Sequence, residues 1–309
     1  MSSYMISIFL NIAIYAFLAL SLNIIVGYAG QPMMGIAAFF GIGAYTSAIA
    51  ANAGINFWIT LPLALCVAGL FGAALGIISL RLHADFLAIT TIGINFVMVA
   101  LFQNKELFGG SLGMGVKTPA FFGQRMTSIH FLVLVLLLII LTCLLIIKMN
   151  RSWFGLALAC MRNDEGAAMS FGVNVKQYKI LAFIIGTSLA GLNGGIYVHR
   201  MSYIFSTDFH FIISIMIISM VVVGGVGTIR GPLIGALLLG AAPEVLRFAE
   251  NYRMIMYGGI IVIMMRFQPQ GLLGDNSFLL RSAHRLMHRI KKPSPPPAEN
   301  QENGGGQNV

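Results

Sequence analysis

Charge is what this sequence has least of. Lys, Arg, Asp and Glu together make up 9% of its 309 residues, against roughly 25% in a soluble globular domain. So low a density excludes an ordinary water-facing surface and points to a bilayer as the solvent. Acidic residues are the scarcer sign, ten against nineteen basic ones, which gives a formal charge of +9. In a membrane chain that excess belongs to cytoplasmic loops and the anionic inner leaflet rather than to nucleic acid. Cysteine is also rare. Cys66, Cys143 and Cys160 lie in or beside apolar runs, at spacings that match neither a disulfide framework nor a zinc site. They read as small core residues.

Motifs are missing too. No G-x-x-x-x-G-K-[S/T] is present, so no ATP is bound through a P-loop, and neither H-E-x-x-H nor C-x-x-C occurs. No His/Asp/Glu cluster supports an enzyme or a metal site. The absence that matters most lies within the apolar runs, whose middles hold no Asp, Glu, Lys or Arg. His130, His199 and Glu244 fall near their ends. Carriers driven by protons or voltage keep ionisable groups at that depth, at about 2.5–3.5 kcal/mol each on insertion scales. Sodium coupling through backbone carbonyls stays open, but the pattern places any driving energy outside the spans.

What is present is apolar length: 58% of the chain is hydrophobic. Spans of roughly 20 apolar residues are expected at Tyr4–Val26, Met33–Ala53, Phe57–Leu80, Asp85–Gln103, Thr127–Lys148, Tyr178–His199, Phe211–Gly225, Pro232–Phe248 and Arg253–Phe267. The expected fold is therefore an all-α membrane protein, a polytopic bundle of about nine helices within a range of eight to ten. Gly or polar interruptions make the second, fourth and seventh candidates for broken helices. "MSSYMISIFL" lacks a basic n-region and its apolar run is too long for a signal core, so the first span is expected to be retained. Placing the loop Met149–Gln177 in the cytoplasm puts thirteen Lys and Arg inside and six outside, with the N-terminus out and the C-terminus in. The expected organisation is a permease domain over residues 1–274 that contains this loop (149–177), a basic amphipathic segment at 275–292 and a disordered tail at 293–309.

Small residues recur on helix faces, in "GLFGAALG" (Gly69, Gly72, Gly76), "GLNGG" (Gly191, Gly195) and "GPLIGALLLG" (Gly231, Gly235, Gly240). Close backbone approach supplies packing energy between membrane helices, and a conduit or hinge is the other use of such positions. Pro32/Gly35 and Pro232/Gly235 echo one another, over too short a stretch to establish a repeat. Uncharged polar residues sit inside the spans, among them Asn23, Thr90, Thr91, Asn95, Asn193, Ser214 and Ser219. With Gln31 at a span boundary, Asn23, Thr90, Asn95 and Asn193 are the candidates for a path taken by a small polar or zwitterionic solute. Interhelical hydrogen bonding is the competing reading for each.

One short polar stretch interrupts this pattern: "RNDEGAAMSFGVNVKQYKI", residues 162–180. Asn163 is a candidate N-cap, with Asp164 and Glu165 in the first turn. Gly172 suits a left-handed C-terminal stop. About two turns lie between, too few to be stable alone, with Ala167, Ala168 and Phe171 as a small apolar face. Such an element must dock on something, either a peripheral cytoplasmic protein or its own bundle.

The run Glu165–Gly172, E-G-A-A-x-x-x-G, resembles the cytoplasmic E-A-A loop of ABC importer permeases. "MRNDEGAAMSFGVNVKQYKILAFIIGTSLAGLNGGIY", "LNIIVGYAGQPMMGIAAFFGIGAYTSA", "VVVGGVGTIRGPLIGALLLGAAPEVLR" and "QPQGLLG" resemble blocks of the branched-chain amino acid permeases of the LivM type, in the same order. The resemblance implies a permease subunit of an ATP-driven importer in the bacterial inner membrane. It implies a homologous second permease, two cytoplasmic ATPases that bind the ATP, and an extracytoplasmic solute-binding protein. This chain itself would hold no cofactor and touch lipid. Arg162, Asp164, Glu165, Ala167, Ala168 and Gly172 would carry the coupling to the ATPases. The chain departs from the family at Gly35–Ile36, where Gly-His is common, at Gln268, where Arg is common, and at Ser111–Leu112, where Pro and Asn are common. These departures leave urea, amides or a sugar as alternative cargo. A stand-alone channel or secondary carrier, and a membrane scaffold, are the readings from other classes.

Overall fold

The computed structural model describes residues 3–116, 120–121 and 124–245, with single positions at 258, 259, 262 and 266. The ninth expected span, the amphipathic segment at 275–292 and the tail lie outside the described residues.

Ten α-helices are described: α1 Ser3–Asn23, α2 Ile36–Asn52, α3 Phe57–Ser79, α4 Ala84–Asn104, α5 Ser128–Asn150, α6 Trp153–Asn163, α7 Glu165–Ser170, α8 Val175–Met201, α9 Phe211–Gly224 and α10 Arg230–Val245. Six described segments are long and apolar enough to cross a membrane: Tyr4–Tyr28, Phe57–Ser79, Ala84–Asn104, Ser128–Asn150, Val175–Met201 and Ser206–Gly224. α2 and α10 are apolar but shorter. The all-α, multi-pass expectation therefore stands for the described chain. Two short antiparallel strand pairs, Met114–Gly115 with Tyr203–Ile204 and Ala120–Phe121 with Gln124–Arg125, decorate the end away from α7.

The breaks lie between helices, not inside the three spans where interruptions were expected. α4 and α9 run unbroken. α1 instead widens into a π-helical turn over Ile24–Tyr28. A non-helical stretch then runs to Gly35, and α2 starts at Ile36 rather than Met33. Irregular backbone is tolerated at such depth only where protein surrounds it. Here α2 is buried along almost its whole length.

α8 is the hub. It packs against α1, α2 and α3, and the small residues make this possible. A Cβ on Gly72 would collide with the Thr187 hydroxyl, one on Gly69 with Ser188, and one on Gly191 with Ala68. The two glycine stripes read in α3 and α8 thus face each other. On the α2 side, Gly43 lies against Gly191 and Gly194 against the Phe40 carbonyl. Gly235 meets the Met220 carbonyl, which closes α9 and α10 into a hairpin, and Gly240 rests on Ile12 of α1. Hydroxyls along these seams satisfy themselves locally: Thr187 donates to the Phe183 carbonyl at 2.7 Å and Ser21 to Leu18 at 2.7 Å, as buried serine and threonine do in helices. Outward faces are apolar, with Val133, Leu137, Ile140 and Leu144 exposed on α5 and Phe86, Ile89, Phe96 and Val97 on α4.

A bulky residue in the α3–α8 seam must push the helices apart. Gly72→Leu is expected to cost on the order of 1–3 kcal/mol and to lower the thermal unfolding midpoint in detergent. Gly93→Ala is the control, because a Cβ there meets no heavy atom within 4 Å. It should hold or raise the midpoint, since alanine favours helix over glycine.

Candidate functional site

The break between α5 and α8 is built from α6 and α7. α6 is amphipathic: Ala157, Leu158 and Met161 are buried, while Trp153, Leu156 and Arg162 are exposed. Asn163, the expected cap, is instead the last residue of α6. The cap is Asp164, whose extended backbone (φ −157°, ψ 114°) ends one helix and starts the next. Its Oδ1 accepts from the Gly166 and Ala167 N–H groups at 2.8 and 3.0 Å, which places the negative charge at the positive helix end. Ser170 ends α7. Gly172 then takes φ +80°, a conformation that suits glycine. Its N–H donates to the Met169 carbonyl at 3.0 Å and the Val173 N–H to Ala168 at 3.1 Å. The expected stop is in place.

α7 has two faces. Ala168 is buried against the bundle, whereas Phe171 is 88% exposed, with Met169 and Ala167 beside it. The expected apolar face is thus split: Ala168 docks on the chain itself, and Phe171 points away. Glu165 turns inward. Its Oε1 lies 2.6 Å and its Oε2 2.8 Å from Lys179 Nζ in the first turns of α8, and Gln31 Nε2 donates to Oε1 at 3.3 Å. The Lys179 side chain is only 9% exposed, that of Glu165 43%. Arg162 reaches beneath two loops, where a Cβ on Gly30 would lie 3.1 Å from its Cγ and one on Gly227 would strike its guanidinium. Beside it, Tyr28, Asn150, Gly155, Asn163 and Gly227 border a polar cleft of about 430 Å³.

The path candidates divide into two groups. Asn23 and Gln31 lie at the α7 end and are engaged there. Asn23 Nδ2 donates to the Thr228 carbonyl at 2.8 Å, and its Oδ1 accepts from the Gly227 N–H at 2.9 Å. Gln31 bridges to Glu165. Asn95 and Asn193 are fully buried. Their amides donate to the Phe209 carbonyl at 3.3 Å and the Ile14 carbonyl at 2.8 Å, while each Oδ1 has no partner among the described residues. Thr90 is half-buried and bonds its own helix at Phe86. The structure does not gather these five into one lining.

Lys179 is the residue that reading the sequence missed. Its signal was legible: a lysine near the start of an apolar helix faces the unfavourable positive end of the dipole, so it needs a carboxylate. Asp164 and Glu165 are the nearest in sequence.

The described chain is a multi-pass bundle with a clamped helical hook between its apolar spans. Residues 4–265 match the family described as the branched-chain amino acid transport system / permease component, and the chain belongs to that family of ABC transporter permeases. It is 34% identical to the high-affinity branched-chain amino acid transport system permease protein LivM of Escherichia coli (strain K12), covering 84% of this chain and 68% of that one. The LivM of Salmonella typhimurium gives the same figures. The probable branched-chain amino acid transport permease protein LivM of Methanocaldococcus jannaschii is 25% identical over 88% of this chain and 94% of its own. No solved structure matches the chain. Members of this family are transport subunits, not enzymes.

The ion pair gives an asymmetric expectation. Glu165→Ala strands a nearly buried lysine and should cost about 2–4 kcal/mol, near the cost of breaking a buried pair. Lys179→Met leaves a carboxylate that reaches solvent and should cost about 1 kcal/mol. Thermal unfolding of the two purified variants checks the order, and equal midpoints would refute the inward clasp.

Proposed function

We propose that this chain is one transmembrane subunit of an ATP-driven importer for branched-chain or related amino acids. Its family and the names of its relatives support the cargo class. In this reading it pairs with a homologous permease, two cytoplasmic ABC ATPases grip the pair, and an extracytoplasmic binding protein delivers the solute. The membrane is the bacterial cytoplasmic one. The α7 end faces the cytoplasm, the N-terminus lies outside and the C-terminus inside, supported by the thirteen-to-six bias of basic residues.

One observation carries the coupling. α7 holds Phe171 and Met169 exposed on a capped helix whose other side is tied down by Ala168 and the Glu165–Lys179 pair. A rigid hook transmits displacement, whereas a free loop would absorb it. When the ATPases close on ATP, the hook moves and the bundle passes from inward-open to outward-open. Arg162, Asp164 and the Phe171 surface form the contact, while Glu165 serves as its anchor. Asn95 and Asn193, each with a buried oxygen that has no partner among the described residues, are the candidates for contact with the solute.

Burying a phenylalanine contributes roughly 1.5–3 kcal/mol, or about one to two decades in affinity. Phe171→Asp should therefore cut copurification of the ATPase about tenfold or more and abolish ATP-driven uptake, with membrane insertion intact. Wild-type uptake by this variant, or uptake in cells lacking the ATPases, would overturn the reading in favour of a stand-alone channel or carrier.

A further inference from the structure

The geometry points to Gln31 and Asn23 as positioning residues that carry the movement of α7 to the starts of α2 and α10, and through α2 to α4 and α9. This rests on the proposed docking of α7 on an ATPase, and deepens it. By its covalent links alone, α7 moves only α6 and α8. Two non-helical stretches at the same end change this: residues 29–35, which lead into α2, and residues 225–229, which lead into α10.

Gln31 is the arm on the first stretch, donating to Glu165, the residue that anchors α7. Beyond it, the start of α2 lacks caps from its own sequence. Gly35 has no side chain to offer, so the leading N–H groups are met from other helices. The Met34 N–H donates to Thr91 Oγ1 of α4 at 3.0 Å, and the Ala37 N–H to Ser214 Oγ of α9 at 3.0 Å. The Met34 and Ala37 groups are part-buried and buried, and stranding a buried N–H costs about 1–3 kcal/mol. The stretch therefore moves with α4 and α9 rather than away from them.

Asn23 is the pin to the second stretch. Both ends of its amide are bound there, to the Gly227 N–H and the Thr228 carbonyl, across more than two hundred residues of sequence. Gly27 closes the same joint, since a Cβ on it would sit 2.6 Å from the Gly227 nitrogen. Arg162 lies under both Gly30 and Gly227, so one residue beside the hook bears on both loops. A push at α7 thus reaches the starts of α2 and α10 through two hydrogen-bonded joints, with Arg162 packed against both loops. Asn23, fully buried and doubly bonded, acts here as a mechanical part rather than a contact for solute.

The test uses the whole transporter, both permeases with ATPases and binding protein, in proteoliposomes. Solute moved per ATP hydrolysed is measured for Gln31→Ala, Asn23→Ala and the double variant. Ser170→Cys cross-linking to the ATPase, at an exposed position beside the Phe171 surface, is followed in the same preparations. The expected result is a fall in that ratio of about tenfold in each single variant, in the range of coupling energies between sites, with the cross-link retained. The double variant should fall further than either single one, because the two residues serve separate loops. A merely structural role would lower uptake and hydrolysis together and leave the ratio in place. A ratio within twofold of wild type, with the cross-link present, overturns this inference and spares the docking. No cross-link without either substitution overturns the docking reading, and this inference with it. If Asn23→Ala does not assemble, Gln31→Ala decides alone.

Discussion

Lys179 enters an apolar bundle at the start of α8 with one carboxylate to meet it, Glu165. The rest of the molecule's working end is arranged around that pair. A buried ammonium is too costly to leave alone, so α7 cannot swing free of α8 without stranding a charge. The pair fixes the orientation of the hook, turns Ala168 inward and leaves Phe171 in solvent. It also brings Gln31 within reach, and with it the loop that starts α2. Charge that is absent from the middles of the spans is concentrated where the chain meets the helix ends.

Above this end, the bundle follows the rules of packing without a hydrophobic drive. Glycines on α3 and α2 let α8 approach until backbones and hydroxyls touch. That density makes α8 a stiff post. α4 and α5 present apolar faces outward and suit contact with lipid or a second permease. A closely packed post, a clasped hook and two loops stitched across the chain form one connected frame. Family membership states that the frame belongs to a transporter, and hydrogen bonds within the frame link the short hook to distant helices.

Much of this was legible in the sequence, for identifiable reasons. Apolar length and flanking polarity located the six described spans and the two shorter apolar helices, α2 and α10, to within a few residues. The glycine stripes were visible, and only their mutual contact was not. The stop at Gly172 was legible because left-handed backbone selects glycine. Asn163 and Asp164 are neighbours with equal capping power, and local rules do not choose between them. The extended backbone of Asp164 made the choice. The start of α2 was misplaced because its caps, Thr91 and Ser214, come from other helices. The partners of Gln31 and Asn23 were not legible, because buried polarity alone does not reveal a partner 134 or 205 residues away.

The central claim is that α7 and the loop that starts α2 are one rigid piece driven by nucleotide. Spin labels at Ser170 and Met34, both with solvent-facing side chains, with a third at Leu145 on α5, measure it by pulsed dipolar spectroscopy in the assembled transporter. The account predicts a constant Ser170–Met34 distance between nucleotide-free and ATP-bound states, with both labels shifting relative to Leu145. A Ser170 label that moves while Met34 stays fixed, or no movement on ATP binding, would contradict it.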